Sequence, residues 1–366
     1  MANLMKASHE WMKRRDDERF CLLTELRDQA SRDLQFSTEK VVTTKMLSVA
    51  PIEKDEQGLV VVGPNGAPVA PTNWSIGQLA SRVGVKGLDR ELPTPIVADI
   101  FNWKIKHGNV DTVKVLLRKE PGEDGQLVSV TSPSYGRVSN FTIADALVKR
   151  FGNGVDGAFR VPGVFGEEIK NNKRDTTFYL GDRSMFVFLT DERNKITIPN
   201  RRNGEPGAMS RGFFVWNSEV GSETLGIATF LFDYVCQNRI VWGAEGYKEI
   251  KIRHTSGAPA RWLYEMAPKL EKYAQSSTRQ LEETLHAAQA KKIGSREDVE
   301  EFLLKRFTKT QVNGINAAHL ADEQRPIETL WDAATGVTAY ARTITWQDAR
   351  VEVEREGGKI FALAAS

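Results

Sequence analysis

A set of charged residues around one apolar run could support metal-dependent hydrolysis. Asp182 precedes the run MFVFLT, Asp191 and Glu192 follow it directly, and Lys195 comes three residues later. Carboxylates at the end of a strand can hold Mg²⁺, and a neighbouring lysine can support the attacking water, as in metal-dependent nucleases. Gly-Asp-Arg and Asp-Glu-Arg-Asn are also common turn compositions, so the favoured interpretation is a hairpin with solvated charges.

A second candidate site is a group of short polar residues between two apolar segments. We name it the polar corner, and it consists of Asn217, Ser218, Glu219, Gly221 and Ser222. Its backbone N–H groups could hold a phosphate, or Glu219 could hold a metal ion. The alternative is a tight turn, in which the same side chains make local hydrogen bonds that satisfy the ends of buried strands.

Positive and aromatic side chains are interleaved in two further regions of the chain. Cations beside rings are typical of proteins that bind single-stranded nucleic acid, because the cations neutralise phosphates and the rings stack on bases. The alternative is a set of solvated strand faces and a helix end that favours cations. The residues of this candidate nucleic-acid surface are Arg118, Lys119, Tyr135, Arg137, Lys149, Arg150, Arg239, Lys248, Lys251, Arg253 and His254.

Sequence motifs of the commoner enzyme classes are absent. The chain has no P-loop, no Rossmann glycine fingerprint, no HExxH and no GxSxG. Its five histidines are scattered over the predicted elements, and its two cysteines, Cys21 and Cys236, have no companions at metal-ligand spacing. We therefore expect a non-catalytic protein with no cofactor and no resident metal.

Composition narrows the class of protein further. The chain has 366 residues, and its 50 Lys and Arg nearly balance 48 Asp and Glu, which excludes a polyelectrolyte but permits a local basic stripe. The N-terminus is charged and lacks the apolar region of a signal peptide, and no apolar run reaches the roughly 20 residues that span a bilayer. We expect a cytoplasmic protein without a membrane partner.

The elements that position these residues follow from hydrophobic spacing and turn composition. Short apolar runs separated by turn residues predict a central antiparallel β core with packed helices, and the later Ala-, Leu-, Glu- and Lys-rich sequence predicts a mainly helical C-terminal region. The fold class is therefore α+β. We expect an N-terminal helix over 1–33, an α+β core domain over 34–258 and the helical region over 259–366.

Within the core, three segments give sharper expectations. The spacing predicts a helix over 141–151 and a hairpin over 176–192. Residues 201–212 have the composition of a loop. The apolar segment 226–236 fits a buried strand and a helix equally well, because periodicity cannot distinguish the two in so short a run.

Two local signals organise the helical region. Pro268 should break or kink the helical run over 260–292, because proline lacks the N–H that the helix interior needs. Ser295 followed by Asp298 is a capping-box-like start of the next helix. Pro326 precedes a further helix that extends to about Ala341.

The sequence around the polar corner resembles a known family. The run over 212–243, followed by Arg-His-Thr at 253–255, resembles the signature of phage- and plasmid-like proteins that carry the domain of unknown function 932. In that signature an Asn-Ser-Glu/His-x-Gly corner precedes an apolar stretch ending in Val-Cys-x-Asn. Two other blocks, at 74–85 and 329–341, are also similar to this family. The resemblance implies a gene of phages, plasmids or genomic islands, and hence a bacterial host.

A second resemblance concerns the order of elements. The order β-hairpin, strand, helix, with Arg118, Tyr135 and a basic helix end, looks like the core of phage single-strand annealing proteins. That resemblance implies DNA binding along a positively charged groove of an oligomeric ring.

These observations lead to three hypotheses of function. The first is a homo-oligomeric protein of a mobile element that binds single-stranded nucleic acid, with strand annealing in recombination as its activity. The second is a metal-dependent nuclease that uses Asp182, Asp191, Glu192 and Lys195, or Glu219. The third is a host-takeover protein that binds other proteins and no nucleic acid.

Overall fold

The computed structural model describes residues 14–52, 55–87, 92–162, 172–174, 176–199, 201, 206–234, 239–240, 250–344 and 347–364. These residues form two β-sheets with helices packed on them, followed by a helical C-terminal region. The predicted α+β class is confirmed. No helix of the described residues is long and apolar enough to cross a bilayer.

The strands of the described residues are, in chain order, β1 (Arg19–Phe20), β2 (Ser37–Thr43), β3 (Ser48–Ile52), β4 (Asp55–Val62), β5 (Pro68–Pro71), β6 (Thr112–Arg118), β7 (Gln126–Thr131), β8 (Phe159–Arg160), β9 (Phe178–Leu180), β10 (Met185–Asp191), β11 (Ile196–Ile198), β12 (Gly207–Asn217), β13 (Leu225–Asp233), β14 (Arg239–Ile240) and β15 (Ile250–Ile252).

The α-helices of the described residues are α1 (Leu23–Gln35), α2 (Asn73–Val83), α3 (Thr94–His107), α4 (Asn140–Phe151), α5 (Ala258–Arg261), α6 (Ala267–Gln275), α7 (Arg279–Ala290), α8 (Arg296–Leu304), α9 (Lys309–Glu323), α10 (Leu330–Ala341) and α11 (Gln347–Ala362).

The large sheet has the order β1-β9-β10-β12-β13-β14, with β8, β11 and β15 beside β10, β12 and β13. Because side chains alternate along a strand, Phe213 and Val215 of β12 lie on one face of the sheet, and Phe214 and Trp216 lie on the other. Helices α1, α4, α5 and α6 cover the first face, and the second face carries a buried layer of aromatic rings. Burial of both faces explains why these strands are continuously apolar in sequence.

The small sheet has the order β2-β6-β7-β5-β4-β3, and all its pairs are antiparallel except β5 with β7. Helices α2 and α3 cover one face, where Leu79 and Phe101 pack on Val113 and Val115. On the other face Leu116 and Val128 pack with Val220 of the polar corner. The corner thus lies between the two sheets.

The C-terminal region has its own apolar core, formed mainly by α7 to α11 around Leu285, Ile315 and Trp331. Ile198 and Met209 of the large sheet belong to the same cluster, which joins the region to the sheet. Ser295 and Asp298 form the predicted capping box at the start of α8. Within the helical run over 260–292, a π-helical turn, Trp262–Met266, precedes α6. Pro268 is the second residue of α6, and the run breaks only after Gln275.

The core predictions have mixed outcomes. The structure confirms the helix over 141–151 as α4 and the hairpin over 176–192 as β9 and β10. Residues 226–233 of the ambiguous segment belong to strand β13 and pair with β12, whereas residues 235 and 236 lie outside the described part.

Two boundaries were predicted wrongly. Within the described residues the first helix begins at Leu23, because Arg19 and Phe20 pair with β9 instead; residues 1–13 lie outside the described part. The predicted loop over 201–212 is wrong from Gly207 onward, where β12 begins, because pairing with β11 and β13 extends the strand into a weakly apolar sequence.

Candidate nucleic-acid interface

The polar corner is the turn that connects β12 and β13. The Ser218 hydroxyl donates to the carbonyl of Arg183 at 2.6 Å and accepts from the backbone N–H of Ser222 at 3.0 Å. Gly221 has a φ of +78°, a left-handed conformation that glycine adopts without strain. The short polar residues therefore build the turn, as one of the two sequence interpretations predicted.

The same corner holds the two sheets together. The carbonyl oxygen of Val220 accepts a hydrogen bond from the Trp74 indole at 2.9 Å and another from the Gln78 amide at 2.7 Å. The Tyr135 hydroxyl donates to the carbonyl of Ser218 at 2.8 Å. Because Trp74 and Gln78 belong to α2 of the small sheet, the corner is both a turn and a joint between the sheets.

Glu219 brings a buried carboxylate into this joint. The residue is 8% exposed, and its Oε1 accepts a hydrogen bond from the backbone N–H of Asn140 at the start of α4. The Arg137 guanidinium lies 3.6 Å from Oε2. Burial raises the pKa of Glu219 above its ordinary value, although Arg137 opposes this effect.

Charged residues from several segments extend outward from Glu219. Glu39 of β2 lies 3.1 Å from Arg137 and 4.0 Å from Lys114 of β6. Arg118, at the end of β6, lies 3.4 Å from Asp33 of α1. We use the name corner cluster for these three cations and three carboxylates together with their polar neighbours: Asp33, Glu39, Lys114, Arg118, Tyr135, Arg137, Asn217, Glu219 and His254.

Tyr135 and His254 stack at the side of the corner cluster. Their ring centroids lie 4.9 Å apart with planes inclined by 26°, and Tyr135 forms a β-bridge with Thr255. Gly136 permits this close approach, because a Cβ atom there would lie 1.8 Å from the Thr255 carbonyl oxygen. Burial lowers the pKa of His254, so the ring is neutral at pH 7.

The neutral His254 has a defined tautomer. Its Nδ1 lies 3.1 Å from the carbonyl oxygen of Gly136, which only accepts hydrogen bonds, so Nδ1 carries the proton. The lone pair of Nε2 is therefore an acceptor.

Four buried polar atoms of the corner cluster have no hydrogen-bond partner among the described residues. Two are donors, Nε of Arg118 and Nη1 of Arg137. The other two are acceptors, Nε2 of His254 and Oδ1 of Asn217, whose amide nitrogen already donates to Val138 and Asn140. Buried polar groups are nearly always paired, so this concentration marks a place where a ligand or ordered water is expected.

The structure brings only part of the predicted basic surface to this cluster. Lys119 and Arg253 are exposed next to Arg118 and His254 in sequence. Lys251 is exposed on β15, with its Nζ 6.0 Å from the centre of the Trp216 ring.

Other predicted members lie elsewhere. Lys149 and Arg150 lie near the end of α4, about 14 to 15 Å along the helix from Asn140, and pair with Asp145 and Glu271. Arg239 pairs with Phe232, at the opposite end of β13 from Lys251. Lys248 and Cys236 lie outside the described residues.

The four residues of the predicted hydrolytic site do not meet. Asp182 lies in the turn before β10, whereas Asp191 and Glu192 lie at the other end, about 20 Å along the strand. Lys195 pairs with Glu192 at 2.7 Å, and the Tyr234 hydroxyl also donates to Glu192. Within the described ranges, no three His, Cys, Asp or Glu side chains are grouped so as to hold a metal ion.

Asp191 has a structural partner that the sequence did not suggest. Its Oδ2 accepts from Nε of Arg211 at 3.0 Å, and the same guanidinium donates to the carbonyls of Tyr273, Ala274 and Ser276 at 3.1, 3.0 and 2.7 Å. Arg211 thus satisfies the free carbonyls at the end of α6, where a cation is also favoured by the helix dipole. We name this arrangement the Arg211 centre.

Sequence reasoning missed two of the three carboxylates of the corner cluster. Asp33 and Glu39 reach Arg118 and Arg137 only because β2 pairs with β6, and a single sequence does not reveal that pairing. The one available signal was the position of Glu39 a few residues after the end of the helix predicted over 1–33.

Comparisons with known proteins support one assignment. No curated protein and no solved structure matches the chain. The family model called domain of unknown function (DUF932) matches residues 180–362, half of the chain, including the polar corner and every helix from α5 to α11. The chain therefore belongs to the DUF932 family, as the signature around the polar corner predicted.

Proposed function

We propose that this protein binds single-stranded nucleic acid at the corner cluster, without catalysis, in the cytoplasm of a bacterium that carries the mobile element. The observation that carries the proposal is the pair of buried arginine donors, Nε of Arg118 and Nη1 of Arg137. Neither has a hydrogen-bond partner among the described residues, although Nη1 lies 3.6 Å from Oε2 of Glu219. A phosphodiester offers the oxygen acceptors that guanidinium groups prefer.

The two unpartnered acceptors support a nucleotide rather than an isolated anion. Nε2 of His254 and Oδ1 of Asn217 require donors, and a phosphate diester has none. Base amino groups supply such donors, and so does a ribose hydroxyl. The His254 ring, which carries Nε2, stacks on Tyr135, and the two rings offer an aromatic surface of the kind on which bases stack.

Access to the arginines requires one carboxylate to move. Glu39 is the most exposed acid of the cluster, with its side chain 34% exposed, whereas Glu219 is 9% exposed. A phosphate would therefore replace Glu39 beside Arg137 while Glu219 stays in place. This competition predicts moderate affinity that rises when Glu39 loses its charge.

The test compares Arg137→Gln with Glu39→Gln in binding to a labelled single-stranded oligonucleotide. We expect Arg137→Gln to weaken binding about tenfold, because a charge-assisted phosphate contact is lost. Glu39→Gln should strengthen binding about threefold, because the competing carboxylate becomes neutral. Measurement at about 50 and about 200 mM salt should give a slope of roughly 0.7 per phosphate contact, and a shallower slope for Arg137→Gln.

Two results would contradict the proposal. One is the absence of binding at micromolar protein and low salt. The other is a change in the same direction for both variants, because that would report a disturbed fold rather than a competition for Arg137. Strand annealing is tested with the same proteins, by the rate at which two complementary oligonucleotides become double-stranded.

A further inference from the structure

We infer that the outer edge of β2 is an interface with a second copy of this chain, in which the two β2 strands pair antiparallel about Val41. An edge strand presents a row of unpaired N–H and C=O groups, to which another strand can add. Proteins usually protect such edges with short strands, prolines or bulges, so an unprotected edge needs an explanation.

The other sheet edges of the described residues are protected. The outlying strands of the large sheet, β1, β8, β11, β14 and β15, have only two or three residues each. At the far edge of the small sheet, β3 contains Pro51, which lacks an N–H, and its register with β4 shifts between Pro51 and Ile52. Prolines and bulges both prevent a further strand from adding.

The β2 edge has none of these protections. Ser37–Thr43 pairs with β6 through seven consecutive residues without a shift in register, and it contains no proline. Residues 38–41 are all exposed, and Val41 is 60% exposed. Within the described ranges, no other strand pairs with β2.

The charged residues of β2 favour one register for its pairing with β2 of the second copy. In a two-fold antiparallel pair each residue faces a residue of the same face, so a pair centred on Glu39 or Lys40 would place like charges opposite each other. Centring on Val41 places Val41 against its own copy, Lys40 against Val42 and Glu39 against Thr43. The most exposed apolar residue of the strand is then covered, and no like charges are opposed.

The experiment measures the molecular mass by sedimentation over a range of concentrations up to about 100 µM, where a weak pair with Kd in the micromolar range would be dimeric. We expect a dimer for the native protein. Val41→Glu should raise the dissociation constant at least about tenfold, because it opposes two carboxylates at the centre of the pair. Val110→Glu is the matched control, because Val110 is a similarly exposed valine, 55%, outside β2.

A cysteine at the centre gives a second test that keeps the strand intact. In a protein with Cys21→Ser and Cys236→Ser, Val41→Cys should form a disulfide-linked dimer under mild oxidation, because Cα atoms of directly opposed residues lie about 4.5 to 5.5 Å apart. Val110→Cys should not. A monomeric native protein, a dimer that Val41→Glu leaves intact, or equal cross-linking of the two cysteine variants would each overturn the inference.

Discussion

The Arg211 centre and the corner cluster use the same residue types in opposite ways. Both bury a carboxylate beside an arginine at a helix end, Asp191 at the end of α6 and Glu219 at the start of α4. In the Arg211 centre each guanidinium nitrogen of Arg211 has an acceptor. In the corner cluster, Arg118 and Arg137 each keep a buried nitrogen without a hydrogen-bond partner among the described residues.

This difference distinguishes Arg211, whose charge stabilises the fold, from Arg118 and Arg137, whose charges are candidates for binding a ligand. A buried ion pair whose groups are all satisfied fixes one geometry and leaves nothing for a ligand. Unpartnered donors cost free energy in the unliganded protein, and a ligand that supplies acceptors recovers it. Substitutions in each region test whether the two regions differ in this way.

Arg211→Met should destabilise the protein strongly. The substitution leaves Asp191 buried without its partner and frees the carbonyls at the end of α6, so we expect a loss of about 3–5 kcal/mol in the free energy of unfolding. Urea unfolding followed by circular dichroism measures it. Arg279→Met, which removes an exposed arginine from a pair with Glu283, is the control and should leave the midpoint unchanged. A small effect of Arg211→Met would remove the distinction between the two regions.

Glu219→Gln should have a smaller effect that depends on pH. Burial raises the pKa of Glu219 in the folded state above its ordinary 4.5. In the pH range between the pKa of the unfolded state and the raised pKa of the folded state, the folded protein therefore binds the proton more tightly. The native protein therefore loses stability relative to Glu219→Gln as pH rises through this range. The loss amounts to about 1.4 kcal/mol for each pH unit that separates the two pKa values.

The matched control for that pH dependence is Asp332→Asn. Burial alone would raise the pKa of Asp332, but the hydrogen bond and charge of Arg325 outweigh it and the pKa is lowered. Native stability relative to this variant should therefore rise with pH through the range below 3.8. Urea midpoints at several pH values compare the variants, and slopes of the same sign for both would contradict the assignment of Glu219.

Lys149→Gln should have the smallest effect. The side chain is 71% exposed and pairs with Asp145 one helical turn away, so stability should change by no more than about 0.5 kcal/mol. Because Lys149 lies at the end of α4 remote from Glu219, oligonucleotide affinity should stay within about twofold of the native value. A tenfold loss would show that the binding surface follows α4 rather than the corner cluster.

Several helices and strands could be predicted from residues close in sequence, whereas the corner cluster depends on pairing between distant strands. The capping box at Ser295 and the β9–β10 hairpin depend on residues close in sequence, so spacing and composition were sufficient. The partners of Arg118 and Arg137 depend on how β2 pairs with β6, which composition does not reveal. Helix α11 lies in the region predicted to be helical, but spacing did not locate it, because charged residues and two glycines interrupt its apolar positions. Gly357 lets it approach Thr338 of α10 closely.

The contacts at Val220 join the residues matched by the family model to a part of the chain that the match does not include. The side chains that bind the corner from the small sheet, Trp74, Gln78 and Tyr135, all precede residue 180, where the match to the family begins. The same holds for α1 and α4, which cover one face of the large sheet. A fragment of residues 180–362 would keep α5 and α6 but would expose to water the part of that face that α1 and α4 cover. We therefore expect that the matched stretch does not fold on its own, and that tests of its activity need the chain that precedes it.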